Sequence, residues 1–164
     1  MIKSIAVSLL ILFCINSNAQ LALDKNKVQV KKTIDSLYQG AFHPDAKWVT
    51  SKDTLIYYPT GQSHPDTSAQ ATCYKIGLWI NQKGLCKIEM QEYLNKQAYA
   101  TGLASILNQK EYNWKKINEN QYISSYEKFL LLELPPESPD LSFKVFRTTW
   151  SKALYDLLIS TKSK

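Results

Sequence analysis

The side chains with the clearest potential for chemistry are those of two His-Pro-Asp tripeptides, at residues 43–45 and 64–66. Two imidazoles and two carboxylates are ligands that zinc and other transition metals accept. Proline and aspartate are also ordinary turn residues, and nothing in the pattern forces His43 and His64 together. We therefore interpret both tripeptides as turns and predict no metal site.

Glutamates that could supply the carboxylate pair of an acid–base catalyst are spread along the second half of the chain. They are Glu89, Glu92, Glu111, Glu127 and Glu133. On alternating strands such residues usually form the solvated face of a sheet. The sequence has no Gly-rich phosphate-binding loop, no nucleophile elbow and no helical His pair with Glu. We predict that the protein is not an enzyme and carries no cofactor.

The first 19 residues, MIKSIAVSLLILFCINSNA, combine the basic Lys3, an apolar run and small residues before Gln20. This pattern predicts a secretory signal peptide cleaved after Ala19. The apolar run is too short for the roughly 20 residues of a membrane-spanning helix. We expect a periplasmic or secreted protein of the cell envelope, with no transmembrane helix in the mature chain.

The mature chain would keep 145 of the 164 residues, enough for one domain with its own core. Cleavage removes Lys3, so the formal net charge falls from +6 to +5. Lysines dominate the positive charge, and Arg147 is the only arginine. Because these charges form no block and no aromatic-lined stripe, the composition disfavours a nucleic-acid partner.

The stretch LWINQKGLCKIEM, residues 78–90, predicts a central β-hairpin. Its polar break from Asn81 to Gly84 has the chemistry of a type I turn followed by a glycine at positive φ. That turn places Ile80 opposite Cys86 and Leu78 opposite Ile88. One buried face then contains Ile76, Leu78, Ile80, Cys86, Ile88 and Met90. Trp79 points to the other face.

Other segments carry helical or extended patterns. Residues 24–40 and 96–110 have apolar residues at helical spacing and predict helices, with Gly102 a minor cost of about 1 kcal/mol relative to alanine. Residues 122–134 predict the third strand, after a turn at 118–121. Ser138-Pro139-Asp140 predicts the start of a C-terminal helix with one apolar stripe. We expect this helix to pack on the open sheet face, with Trp150 and Leu154 near Trp79.

The two cysteines that remain after cleavage, Cys73 and Cys86, are expected in an oxidising compartment, where pairing is the default. The hairpin register separates them by more than about 20 Å, beyond the roughly 7 Å that a disulfide spans. We therefore predict no disulfide between them and a packing role for Cys86.

The order strand, Gly turn, strand, helix, Trp, turn, strand resembles the C-terminal domain of TonB, a periplasmic energy transducer. The matching segments are the Tyr58-Pro59 pair, the strands at 74–84 and 85–90, the helix at 97–107, Trp114, and the turn and strand at 118–134. The chain departs from the family pattern where Lys115-Lys116 and Asn120 stand, and in its additional helix from Pro139.

This resemblance implies an α+β fold with a small three-stranded antiparallel sheet in β-β-α-β order and added N-terminal and C-terminal helices. The implied divisions are an N-terminal helix and connecting segment at 20–56, the TonB-like domain at 57–136 and the C-terminal helix at 137–164. No membrane anchor or Pro-rich span of a working transducer is present in the sequence. The resemblance therefore implies a periplasmic binding module.

In that family the third strand leaves an open edge to which an extended partner segment adds, because its backbone N–H and C=O groups are unpaired. Carried to this chain, the partner-binding residues are Tyr122, Ser124, Tyr126 and Lys128. The implied partner is a protein with an extended segment, such as an outer-membrane transport receptor. The alternatives are a carrier of small apolar ligands in the envelope and a metal-dependent enzyme that uses the two His-Pro-Asp loops.

Overall fold

A computed structural model describes residues 21–38, 46–59, 73–135 and 141–160, which form one antiparallel sheet of eight strands and three α-helices. The helices are α1 (Lys27–Tyr38), α2 (Lys96–Leu107) and α3 (Lys152–Ser160). The strands are β1 (Lys47–Thr50), β2 (Thr54–Tyr58), β3 (Cys73–Ile80), β4 (Cys86–Tyr93), β5 (Lys115–Asn118), β6 (Gln121–Ile123), β7 (Leu130–Glu133) and β8 (Leu141–Arg147). A short 3-10 helix (Tyr126–Lys128) separates β6 from β7.

The strand order in the sheet is β1-β2-β3-β4-β8-β7-β6-β5. It consists of two four-stranded meanders, each preceded by a helix, which join where β4 pairs with β8. The predicted three-stranded β-β-α-β sheet is therefore wrong, although the α+β class is correct. The edges of this sheet are β1 and β5.

The largest error of the sequence analysis concerns residues 141–147. They were expected in the C-terminal helix, but they form β8, a central strand that pairs with β4 and β7. Leu141, Phe143 and Val145 alternate, and the last two are fully buried. Apolar residues in this segment satisfy both a helical and an alternating pattern, and tertiary pairing selects the strand. Ser138 and Pro139, the expected helix start, lie outside the described residues.

The turn of the central hairpin is confirmed. Gly84 has φ of +78°, and its N–H donates to the Asn81 carbonyl at 2.9 Å. The side chain of Asn81 also accepts from the backbone N–H of Lys83 and Leu85, each at 3.0 Å. Beyond the turn, Ile80 pairs with Cys86 as expected.

The rest of the hairpin register is one residue away from the expected register. A β-bulge places the extra residue Lys87 on β4, so Trp79 pairs with Ile88 and Leu78 pairs with Glu89. Because a one-residue slip exchanges the two faces, Ile88 and Met90 lie on the face that carries Trp79. Glu89 takes their place on the buried face.

The helices α1 and α2 cover one face of the sheet, called here the inner face. Val30 and Ile34 of α1 and Ile106 of α2 are buried in the same core cluster as Leu78 and Phe143. Both helices were predicted, but α1 begins at Lys27 because Asn26 caps it by accepting from the N–H groups of the following turn. The α2 helix is capped by Asn95 in the same way.

Gly102 of α2 has a structural role that its helix propensity does not show. A Cβ at this position would lie 2.0 Å from the hydroxyl oxygen of Tyr93 and 2.3 Å from its ring. The helix therefore reaches the sheet only because residue 102 has no side chain. Tyr93 in turn packs against Tyr99 and Phe143, with ring centroids 6.0 and 5.8 Å away.

The two described cysteines are not disulfide-bonded, as predicted. The Cys86 thiol is fully buried, and burial raises its pKa to about 12. Cys73 was expected on the face of Trp79, but a second bulge between Cys73 and Lys75 returns it to the buried core.

Candidate functional site

The inner face carries one ionisable group at its centre, the carboxylate of Glu89, which is only 2% exposed. The Ala22 N–H donates to its Oε2 at 2.7 Å, and the Gln91 side-chain amide donates to its Oε1 at 2.8 Å. The Tyr93 hydroxyl donates to the Gln91 Oε1 at 2.7 Å and completes the chain of hydrogen bonds. Loss of solvation raises the pKa of Glu89, while the two donors and the charge of Lys25 oppose that rise.

The segment at 21–25 seals this carboxylate from water. Leu21, Ala22 and Leu23 are all buried in the core cluster. The Asp24 N–H donates to the Cys86 carbonyl at 2.8 Å, and the Cys86 N–H donates to the Lys25 carbonyl at 2.9 Å.

The Asp24 side chain holds the same segment against the sheet. Its carboxylate pairs with Lys87 at 2.6 Å and with Arg147. These two cations overcome the desolvation of Asp24 and lower its pKa. Glu89 therefore anchors the residues before α1, and these residues help to bury its carboxylate.

The opposite face, called here the outer face, carries a continuous row of apolar side chains. Directly paired residues on five adjacent strands form this outer apolar row: Trp79, Ile88, Phe146, Leu131 and Ile123. The first four are only partly buried, whereas Ile123 at the β6 end is fully buried. A row of this kind is a surface on which a partner can remove apolar area from water.

Trp79 lies along the sheet at the β3 end of this row. A Cβ at Gly77 would lie 3.0 Å from the outer end of the Trp79 ring and 3.5 Å from the Met90 methyl group. The ring thus covers the glycine next to it, a known way of protecting glycine in a strand. Trp79 and Met90 together form an apolar platform on the outer face.

The C-terminal helix does not cover this platform. The α3 helix contacts β5, which is five strand spacings from β3, or about 24 Å at about 4.8 Å per spacing. Tyr155, its buried residue, packs against Tyr126 with ring centroids 5.5 Å apart. Leu154 is 45% exposed. The expectation that Leu154 would lie near Trp79 is therefore wrong.

The edge strand β1 offers backbone groups to a partner. The Ser51 N–H donates to the Thr54 carbonyl at 2.8 Å, so this pair is hydrogen-bonded. Hydrogen-bonded pairs alternate with non-hydrogen-bonded pairs along an antiparallel ladder. The N–H and C=O groups of Val49, two residues before Ser51, therefore point toward β2. The N–H and C=O groups of Trp48 and Thr50 then point away from the sheet. Among the described residues, no strand pairs with that side of β1.

The side chains of β1 alternate between the two faces of the sheet. Val49 is 42% exposed, pairs with Ile56 and lies on the outer face. Trp48 faces the inner side, where its indole N–H donates to Asp35 of α1 at 3.0 Å and its ring packs 4.8 Å from that of Tyr57. Contacts with α1 and β2 thus hold β1 in place, and no described strand pairs with its free edge.

The other edge strand, β5, is protected against pairing. It carries Lys115 and Lys116, both exposed, and its ladder with β6 is interrupted by a bulge between Lys116 and Asn118. A bulge of this kind is a common device against strand addition. The ladder between β1 and β2 has no such interruption.

The partner-binding residues predicted from the sequence do not lie on an open edge. Tyr122 is on β6 and pairs with Leu132, while Ser124 is fully buried and accepts from the Leu130 N–H at 2.9 Å. Tyr126 and Lys128 are in the 3-10 helix. Residues 122–134 are thus not one edge strand, because β6 and β7 are each paired on both sides. Whether these four residues bind a partner stays a prediction.

The two alternative functions, an apolar-ligand carrier and a metal-dependent enzyme, would need an apolar cavity or a cluster of metal ligands. A cavity of about 570 Å³ near the β5–β6 turn is lined mainly by polar residues: Asn118, Glu119, Asn120, Gln121, Glu133, Leu134, Pro135 and Lys144. No metal-ligating cluster occurs within residues 21–38, 46–59, 73–135 and 141–160, and both His-Pro-Asp tripeptides lie outside these ranges. Within the same ranges, no helix is long and apolar enough to span a membrane.

Trp79 was placed correctly on the outer face from the sequence, but β1 was not predicted. The run Lys-Trp-Val-Thr is short, and its local signal is limited to three consecutive β-favouring residues, Trp48, Val49 and Thr50. Comparison of the chain with protein-family models, with curated proteins and with solved structures gives no match. No relative therefore tests the resemblance to TonB. The three-stranded sheet that the resemblance implied is wrong.

Proposed function

We propose that the protein is a secreted or periplasmic binding module that accepts an extended segment of a protein partner as an additional strand on β1. The observation that carries this proposal is the open side of β1, where Trp48 and Thr50 direct their backbone groups away from the sheet. The location outside the cytoplasm rests on the signal peptide predicted at residues 1–19. Neither a TonB-like fold nor an outer-membrane receptor is part of this proposed function.

Backbone pairing on β1 supplies only part of the affinity. Trp48 and Thr50 offer one N–H and one C=O each, and at about 1 kcal/mol per hydrogen bond they contribute about 4 kcal/mol, which corresponds to millimolar binding. Tighter binding requires side-chain contacts. Val49 supplies one on the outer face, because a partner residue opposite it would continue the apolar surface of Val49 and Ile56.

The test is a proline at the residue whose N–H points outward. Thr50→Pro removes one hydrogen bond to an added strand but none to β2, since proline is tolerated on the free side of an edge strand. We expect binding of a fluorescently labelled, alternating Val/Thr peptide to fall about tenfold, as measured by anisotropy. Thr50→Val is the matched control, because it keeps the N–H and the β-branched shape.

Thermal unfolding of both variants shows whether the fold is kept. Equal peptide affinity of Thr50→Pro and Thr50→Val, with both variants folded, would show that β1 does not receive the strand. Absence of binding by the unmodified protein would remove the proposal as a whole.

A further inference from the structure

We infer that the segment which β1 accepts is acidic, with a carboxylate two residues from an apolar side chain on the same face. This inference rests on the proposed function and adds the chemistry of the partner to it. It is carried by four lysines that surround the open edge, called here the β1 lysines: Lys27, Lys31, Lys47 and Lys52.

Three of the β1 lysines are placed at the edge by a contact or by their position in the strand, and Lys52 lies in the turn after β1. The Lys27 ammonium donates to the carbonyls of Ser51 and Lys52, at 3.1 and 2.7 Å, at the turn after β1. The Lys31 ammonium lies 5.4 Å from the ring centre of Trp48. Lys47 is the first residue of β1 and is exposed. Positive charge therefore lies at both ends of the strand and on its inner side.

The carboxylates close to this edge do not neutralise it. Among the described residues they are Asp35, which accepts from the Trp48 indole, and Asp53, which accepts from the Thr54 hydroxyl at 3.4 Å. Within this described part, four lysines against two aspartates leave a formal local charge of +2. Among the described residues, none of the β1 lysines forms an ion pair within 4.0 Å. A partner with carboxylates would supply the missing opposite charges.

The alternation of β1 gives the spacing of the partner residues. Lys47 and Val49 are two residues apart and lie on the outer face, opposite Tyr58 and Ile56 of β2. An added strand would place one residue opposite each of them on that face. The residue opposite Val49 should be apolar and the residue opposite Lys47 acidic, since both pairings are favourable across a strand pair.

A second copy of the chain fits this edge poorly. Pairing of two β1 strands would bring the β1 lysines of both copies together, and like charges facing each other are unfavourable. The other edge, β5, carries Lys115 and Lys116 and would also oppose positive charge to the β1 lysines. The charges therefore favour an acidic segment of another protein.

The experiment compares three labelled peptides of identical pattern, TETVTETVTE, TQTVTQTVTQ and TKTVTKTVTK. Their variable residues flank each valine at two-residue spacing in both chain directions. We expect the Glu peptide to bind at least fivefold more tightly than the Gln peptide, and the Lys peptide more weakly than either. The preference should shrink at high salt, because screening weakens exposed pairs.

Two charge reversals locate the effect. Lys47→Glu should abolish or reverse the preference for the Glu peptide, whereas Lys110→Glu, an exposed lysine in the loop after α2, should leave it unchanged. Equal binding of the Glu and Gln peptides, still lost in Thr50→Pro, would overturn this inference and leave the proposed function standing. No binding of any peptide would overturn both. A dimer in sedimentation that Thr50→Pro disperses would assign the edge to a second copy instead.

Discussion

The two faces of the sheet differ in which residues they hide from water. The inner face holds Glu89, a buried carboxylate with a raised pKa, under two helices and the segment at 21–25. The outer face between β3 and β7 presents partly buried apolar residues such as Trp79 and Phe146. A search for perturbed ionisable groups would select Glu89 as the functional site. Its hydrogen bonds and burial indicate a structural role, and the less conspicuous outer face is the one that the described residues leave partly exposed.

A consequence of this difference is that changes on the inner face should cost stability, whereas equivalent changes on the outer face should cost little. The inner residues are held by partners from distant parts of the chain, and they relax poorly when one is altered. Outer residues can move into solvent. Three comparisons make this difference measurable.

The largest loss of stability is expected for Glu89→Ala. The substitution leaves the Ala22 N–H and the Gln91 amide without their acceptor and opens a cavity in the core. Each buried orphaned group costs about 1–3 kcal/mol, so we expect the free energy of unfolding to fall by about 3 kcal/mol. Urea denaturation measures the loss, and hydrogen exchange should show residues 21–25 opening first.

Glu89→Gln is the matched control, and it adds a pH dependence. Because burial raises the folded-state pKa of Glu89 above its usual 4.5, the folded protein takes up this proton before the unfolded chain does. The stability of the wild-type protein should therefore rise as pH falls through the folded pKa toward 4.5.

The Gln variant carries no charge at this position, so its stability should not show this rise between neutral pH and pH 4.5. Asp24 acts in a separate window, because its lowered pKa makes its contribution fade only below 3.8. A Gln variant whose stability rises as steeply as that of the wild type when the pH falls would show that another group carries this dependence.

A smaller loss is expected for Gly102→Ala, also on the inner face. Alanine in place of glycine within a helix normally adds about 1 kcal/mol of stability. Here its Cβ would lie 2.0 Å from the Tyr93 hydroxyl oxygen, so Tyr93 must move and release Gln91. Overpacking typically costs about 1–3 kcal/mol, so after the helix gain the net effect should be a loss of about 1 kcal/mol. A Tm equal to or above that of the wild type would show that the Tyr93 side chain can adopt another position without loss of stability.

Elements with a complete local signal could be predicted from the sequence. The turn at Asn81 to Gly84 was predictable because one residue needs positive φ and glycine stands there. The helices α1 and α2 were predictable because their apolar residues repeat at helical spacing. Trp79 was placed on the correct face for the same local reason, since it alternates with Leu78 and Ile80.

The parts that were not predictable depend on distant partners. The burial of Glu89 requires an N–H donor from Ala22, which is 67 residues earlier in the chain. Its neighbours Ile88 and Met90 are more apolar, so the local pattern favoured the wrong register. Residues 141–147 became a strand because β4 and β7 flank them, and that pairing is invisible in a periodic pattern. The candidate edge β1 was missed because four residues carry too little pattern.

The smallest loss of stability is expected for Gly77→Ala, the outer-face counterpart of Gly102→Ala. The new Cβ would lie 3.0 Å from the Trp79 ring end, a tight contact that would be costly inside a core. On the outer face the ring can swing away from the sheet, so we expect the free energy of unfolding to change by less than about 1 kcal/mol. The displaced indole should become more exposed, which a stronger quenching of tryptophan fluorescence by acrylamide would reveal. Trp79→Phe in the same background identifies which of the tryptophans responds. A loss as large as that of Gly102→Ala would mean that the outer face is covered as tightly as the inner one, and that a partner strand on β1 would find no mobile apolar surface beside it.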